Sequence, residues 1–119
     1  MASPTFTITP IGPFSLAEAA TFGFGQRDDG AWDGVMRLAF CLDGYRVQVG
    51  VEVRQDDAGL VRGTVSGPAG TDVDAVRSQV ARVLSLDHDG EEFTRVGERD
   101  AVIGRLQQVA PGLRPPLFY

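Results

Sequence analysis

Residues 35 to 54, VMRLAFCLDGYRVQVGVEVR, decide the fold. After Asp43-Gly44, the residues Tyr45, Val47, Val49, Val51 and Val53 alternate strictly with Arg46, Gln48, Gly50, Glu52 and Arg54. Before it, Met36, Leu38, Phe40 and Leu42 fall on one face of the same period. A repeat of two is that of a strand with one buried and one wet face. Asp43-Gly44 is favoured at a two-residue hairpin turn, where both central positions take positive φ. The stretch predicts strands over 35–42 and 45–54 joined by that turn.

Working outward, the turn formers Asp56-Asp57-Ala58-Gly59 lead into a third antiparallel strand over 60–66, and Gly67-Pro68-Ala69-Gly70 closes the sheet section. Toward the N-terminus, Thr5 to Thr9 alternate up to Pro10, which lacks a backbone donor, so a short strand is expected there at a sheet edge. Ser15 with Glu18 three residues on has the capping-box pattern, and a short helix over 16–22 should follow. Residues 23–34 hold four glycines and form a loop, with a strand start at Trp32.

Beyond the sheet, Thr71 stands where a helix N-cap belongs, with Asp72 and Asp74 in the first turn. Val73, Val76, Val80, Val83 and Leu84 then form an amphipathic stripe, predicting a helix to about Ser85. Asp87 to Gly90 reads as a turn, and Glu91 to Val96 as a helical turn that packs Phe93 and Val96. Asp100 can cap a helix carrying Val102, Ile103, Leu106 and Val109, ended by Pro111. The fold class is α+β, an antiparallel sheet backed by helices. The domain should occupy residues 1–110. Residues 111–119, with three prolines and the apolar end Leu117-Phe118-Tyr119, read as a Pro-rich linker into a further domain or as a docking peptide.

The chain has 119 residues, 43% of them hydrophobic and 23% charged, which suits one globular core and not a disordered segment. Net charge is −5, every basic residue is Arg, and no stretch holds three of them close together. Strong DNA binding by this chain alone is therefore not expected, because such affinity rests on clustered cations. Cys41 is the only cysteine, which excludes an internal disulfide; it reads as a buried thiol suited to a reducing compartment. Residues 1–13 have no basic or apolar leader, and nowhere do 18 apolar residues run together, so no membrane and a cytoplasmic location are expected.

Candidate chemistry is sparse. His88 lies between Asp87 and Asp89, carboxylates that can orient an imidazole for a metal or general-base role, but zinc needs three or four ligands and there is no second His or Cys. Asp28-Asp29, Asp56-Asp57 and Glu91-Glu92 read as solvated turns. Gly23-Phe24-Gly25 and Gly67 to Gly70 lack phosphate-loop spacing, and Ser3, Ser15, Ser66, Ser78 and Ser85 lack a nucleophile context. Phe22, Phe24 and Trp32 could form an aromatic platform, though core packing is the simpler use. No catalytic, cofactor-binding or metal-binding residue is assigned, and no cofactor is expected.

The order strand, capped helix, Gly-rich loop, three-stranded meander and helix is followed by three short motifs. These are Arg82-Val83-Leu84-Ser85-Leu86-Asp87, Ile103-Gly104-Arg105-Leu106 and Pro111-Gly112-Leu113-Arg114-Pro115. The whole resembles the N-terminal domain of the DNA-3-methyladenine glycosylase II type, in the helix-hairpin-helix glycosylase superfamily. The resemblance covers nearly the whole chain, and its most specific motifs lie between residues 82 and 115. It implies an α+β domain similar to half of the TATA-binding-protein fold. In that family the catalytic Asp and the helix-hairpin-helix follow a tail of this kind, so neither has a position here.

What the resemblance implies is a non-catalytic N-terminal domain of a base-excision-repair glycosylase for alkylated bases. Its partners would be the parent's helical catalytic domains or another protein, and DNA would be reached only through those domains. Whether the chain is itself an enzyme stays open. The alternative is a stand-alone protein-binding or adaptor module, using the sheet face of Arg46, Gln48, Glu52 and Arg54 or the tail. A small enzyme built around His88 has the least support.

Overall fold

The computed structural model describes residues 3–22, 33–44, 46–112 and 114; the side chains of Thr21 and Phe22 are excluded. Its elements are β1 (Thr5–Ile8), α1 (Leu16–Phe22), β2 (Met36–Cys41), β3 (Gln48–Gln55), β4 (Val61–Ser66), α2 (Val73–Val83), α3 (Gly90–Arg99) and α4 (Ala101–Val109). The four strands form one antiparallel sheet in the order β1-β4-β3-β2, with β1 at an edge. The α+β class and the antiparallel sheet backed by helices are as the sequence predicts.

Alternation sets the two faces. Phe6 and Ile8, Met36, Leu38 and Phe40, Val49, Val51 and Val53, and Val61 and Val65 all turn inward. They meet Leu16, Ala19 and Ala20 of α1, and Val76, Val80, Ala81, Leu84 and Leu86 of α2 and its exit. Burying each large apolar side chain contributes about 1.5–3 kcal/mol, so this two-layer core is the main stabilising term. The edge carbonyl of Thr7 accepts from Arg77 Nε at 2.8 Å, so α2 also covers part of the β1 edge.

The central hairpin departs from its predicted turn. Leu42 N–H donates to Val47 O at 2.8 Å, and Cys41 pairs with Gln48, so the connection spans residues 43–46 instead of 43–44. Position 45 lies outside the described residues. Gly44 takes φ +97° but Asp43 does not take the positive φ that a two-residue turn of this type needs. The cause is tertiary. Gln79 on α2 accepts from Asp43 N–H at 3.2 Å and donates to Cys41 O at 2.8 Å. Arg82 holds the Asp43 carboxylate at 3.1 Å, which raises the Arg82 pKa. The register is slipped by two residues, and a slip of two leaves the side chains of β2 and β3 on their predicted faces.

One cap assignment changes. Thr71 donates its hydroxyl hydrogen to Pro68 O and closes the preceding turn, so Asp72 caps α2, accepting from Asp74 and Ala75 N–H. α2 ends at Val83 in a Schellman arrangement: Leu86 N–H reaches Ala81 O and Ser85 N–H reaches Arg82 O. Ser85 takes the left-handed position, φ 57°, usually given to glycine. The predicted turn at 91–96 is a full ten-residue helix, α3, capped by Asp89, whose carboxylate accepts from Glu91 N–H at 2.8 Å.

Gly63 faces inward on β4 opposite Phe6, and the Phe6 ring lies across it so that a Cβ there would overlap ring atoms. Gly63→Ala should therefore destabilise the domain by about 1–3 kcal/mol through overpacking. Urea denaturation checks this, and adding Phe6→Leu should recover part of the loss. An unchanged midpoint for Gly63→Ala would show that the ring does not fill this space.

Candidate functional site

The tail and two loops converge on Arg114, which is 4% exposed. Its Nε donates to Pro13 O at 3.0 Å, Nη1 to Ser85 O at 3.0 Å and His88 O at 2.9 Å, and Nη2 to Ile11 O. The guanidinium carbon stands 5.7 Å from the centre of the Phe14 ring, within cation–π range. All four acceptors are backbone carbonyls, two from the β1–α1 loop and two from the α2–α3 loop. Burial pushes the Arg114 pKa below its usual value and Asp89 pulls it back up, but an arginine in a protein stays charged.

Glycines make the approach possible. A Cβ on Gly90 would overlap the Arg114 guanidinium and stand 2.9 Å from Ile11 O; the Gly90 N–H donates to that same carbonyl at 2.7 Å. A Cβ on Gly112 would lie 2.6 Å from Ser15 N. Ser15 N–H donates to Gly112 O at 2.7 Å, and Gly112 N–H donates to Glu18 Oε2 at 2.8 Å. The predicted capping box is thus half formed. The Ser15 hydroxyl accepts from Glu18 N–H at 3.2 Å, while the Glu18 carboxylate takes the tail instead of returning to Ser15. Gln55 ties the same loop to the sheet, accepting from Leu16 N–H at 2.9 Å and donating to Phe14 O at 3.0 Å.

This clasp sets where the α3–α4 hairpin begins. Asp100 alone joins the two helices, ending α3 through its N–H to Val96 O and starting α4 by accepting from Val102 and Ile103 N–H. The helices cross closely at glycines. A Cβ on Gly104 would lie 2.6 Å from Gly97 O, and one on Gly97 would overlap the Gln107 amide, which donates to Phe93 O at 2.7 Å. Gly104 and Gln107 therefore mark the face of α4 turned to α3.

Val102, Leu106 and Val109 lie on another face, since Gly104 is about 200° around the helix from Val102 at 100° per residue. They are 62%, 56% and 78% exposed, and α4 buries no residue. Val96 on α3 is exposed and Phe93 half-buried. Phe93 and Val96 line a cleft of about 340 Å³ that reaches Arg114, rimmed by Asp89 and Glu92.

The remaining sequence candidates do not assemble. His88 Nε2 lies 3.6 Å from Asp87 Oδ1 with both side chains exposed, while the His88 carbonyl serves Arg114. Asp56 accepts from Ala58 and Leu60 N–H within its turn. Cys41 is half-buried, less than the expected full burial, because it ends an edge strand on the open sheet face. Among the described residues no group of three or more His, Cys, Asp or Glu is placed to hold a metal, and no helix is long and apolar enough to cross a membrane. Asp28-Asp29, Gly23-Phe24-Gly25, Trp32, the Phe22 side chain and Leu117 to Tyr119 lie outside the described residues.

No protein-family model matches this chain, and no curated protein matches it. Among solved structures it is similar to a 3-methyladenine DNA glycosylase from Archaeoglobus fulgidus, at 20% sequence identity with a TM-score of 0.63. The match covers 96% of this chain and 39% of the glycosylase chain. At that identity the likeness is one of fold.

Replacing Arg114 by Met should cost about 2–4 kcal/mol, since four carbonyls lose a charged donor and those without a second partner are left unsatisfied in a buried place. Arg114→Lys should recover only a part, because an ammonium lacks the planar fork. Urea denaturation measures the loss, and amide exchange should show Ser15 and Gly90 losing protection together.

Proposed function

We propose that this chain is the N-terminal, non-catalytic domain of a DNA-repair glycosylase acting on alkylated bases, and that it braces the helical catalytic part. The carrying observation is the uncovered α4 stripe of Val102, Leu106 and Val109. An apolar row at i, i+4 and i+7 is the seam by which one helix packs on another. The fold likeness supplies the setting, because the matched region is only 39% of the glycosylase from Archaeoglobus fulgidus.

The domain's work on this reading is mechanical. Its core fixes the α2–α3 loop, Arg114 fixes the start of α3 against that core, and the Asp100 joint turns the α4 stripe outward. Docking on the stripe would bury apolar surface at roughly 25 cal/mol per Å². Chemistry at the glycosidic bond would belong to the part of the enzyme packed there, with DNA engaged mainly through that part.

Two experiments test the reading. Incubated with duplex DNA containing 3-methyladenine, the chain alone should release no base; release would overturn the non-catalytic assignment. Grafted in place of the matched region of the Archaeoglobus fulgidus enzyme, it should give a soluble chimera that releases base. Val102→Glu with Leu106→Glu should abolish chimera activity while shifting the isolated domain's stability by less than about 0.5 kcal/mol, as exposed positions do. A large stability loss in the isolated domain would show that the stripe already serves its own core.

A further inference from the structure

Three arginines distant in sequence meet on the outer face of the sheet: Arg37 on β2, Arg54 on β3 and Arg62 on β4, all exposed. The register sets Arg37 opposite Glu52 and Arg54 opposite Arg62. Asp33 pairs with Arg37 at 3.2 Å and Glu52 with Arg54 at 3.2 Å. Arg62 makes no ion pair among the described residues. Neighbouring strands are about 4.8 Å apart, and like charges directly opposite each other destabilise a sheet. An anion seated between the two guanidinium groups would relieve that repulsion.

The surroundings suit a phosphate diester. Thr7 stands across from Arg62 and Thr64 across from Glu52, offering hydroxyl donors of the kind that hold phosphate oxygens. No aromatic side chain lies on this face among the described strand residues, so bases would find nothing to stack on. The nearby Asp56 carboxylate is engaged by two amides of its own turn.

We propose that the Arg54–Arg62 pair on the open sheet face is a supplementary, sequence-independent contact for the DNA phosphate backbone. The choice of DNA over an acidic peptide rests on the glycosylase reading; the opposed arginines do not. The contact adds to whatever grip the catalytic part has and is weak alone, consistent with the net charge of −5.

Fluorescence anisotropy of the chain with a labelled DNA duplex, at salt from about 10 mM upward where screening is weak, tests this. R54Q/R62Q should bind more weakly and flatten the dependence of log affinity on log salt by about 2. R95Q/R105Q removes the same formal charge from α3 and α4 and should leave that slope unchanged. Without DNA, R62Q should raise the melting temperature slightly. No duplex binding at low salt, equal slopes for the two double variants, or binding of poly-glutamate in place of the duplex would each overturn the proposal. None of these readouts uses the α4 stripe or the chimera, so the two ideas fail separately.

Discussion

The structure depends on one buried charge. Taking a guanidinium out of water costs several kcal/mol, and Arg114 offsets that with four charge-assisted bonds of about 1.5–3 kcal/mol each and the face of Phe14. Its acceptors lie on two loops, which the Gly90 N–H to Ile11 O bond also joins. Without the guanidinium, the Pro13, Ser85 and His88 carbonyls would lose a charged donor, while Ile11 O would keep the Gly90 N–H. Gly90 and Gly112 are glycines for the same reason: each gives up a side chain so that the tail can lie against the body.

From that point the molecule has two unlike parts. Residues up to Leu86 form a two-layer core with valines at or near zero exposure. Beyond Gly90, the α3–α4 hairpin makes its close glycine contacts within itself, buries no other residue and carries Val96, Val102, Leu106 and Val109 in solvent. A hairpin so poor in core contacts needs an external definition of its position, and the carbonyl clasp provides it.

Much of the fold was legible because it rests on periodicity. The alternation in residues 35–54 fixed which side chains turn inward, and it survived a two-residue change of register because faces repeat every two residues. Details set by tertiary contact were not legible. Gln79 and Arg82 on α2 reshape the hairpin end, Thr71 spends its hydroxyl on Pro68, and Glu18 takes the tail amide. The length of α3 was hidden because Phe93 and Val96 are its only large apolar side chains, too few to trace a stripe over ten residues. Arg114 stood in a motif of the family resemblance, yet nothing in Pro-Gly-Leu-Arg-Pro tells that its side chain turns inward. The Arg37, Arg54 and Arg62 cluster could not be seen in a chain with no run of basic residues, since only strand pairing assembles it.

The most direct measurement is hydrogen–deuterium exchange of the α4 amides, 101–109, in the isolated chain and in the chimera with the Archaeoglobus fulgidus glycosylase. If the hairpin is a docking element held out by the Arg114 clasp, α4 exchanges quickly in the isolated chain and becomes strongly protected in the chimera, while the β3 and β4 amides are protected in both. Equal protection of α4 in the two proteins would contradict the account.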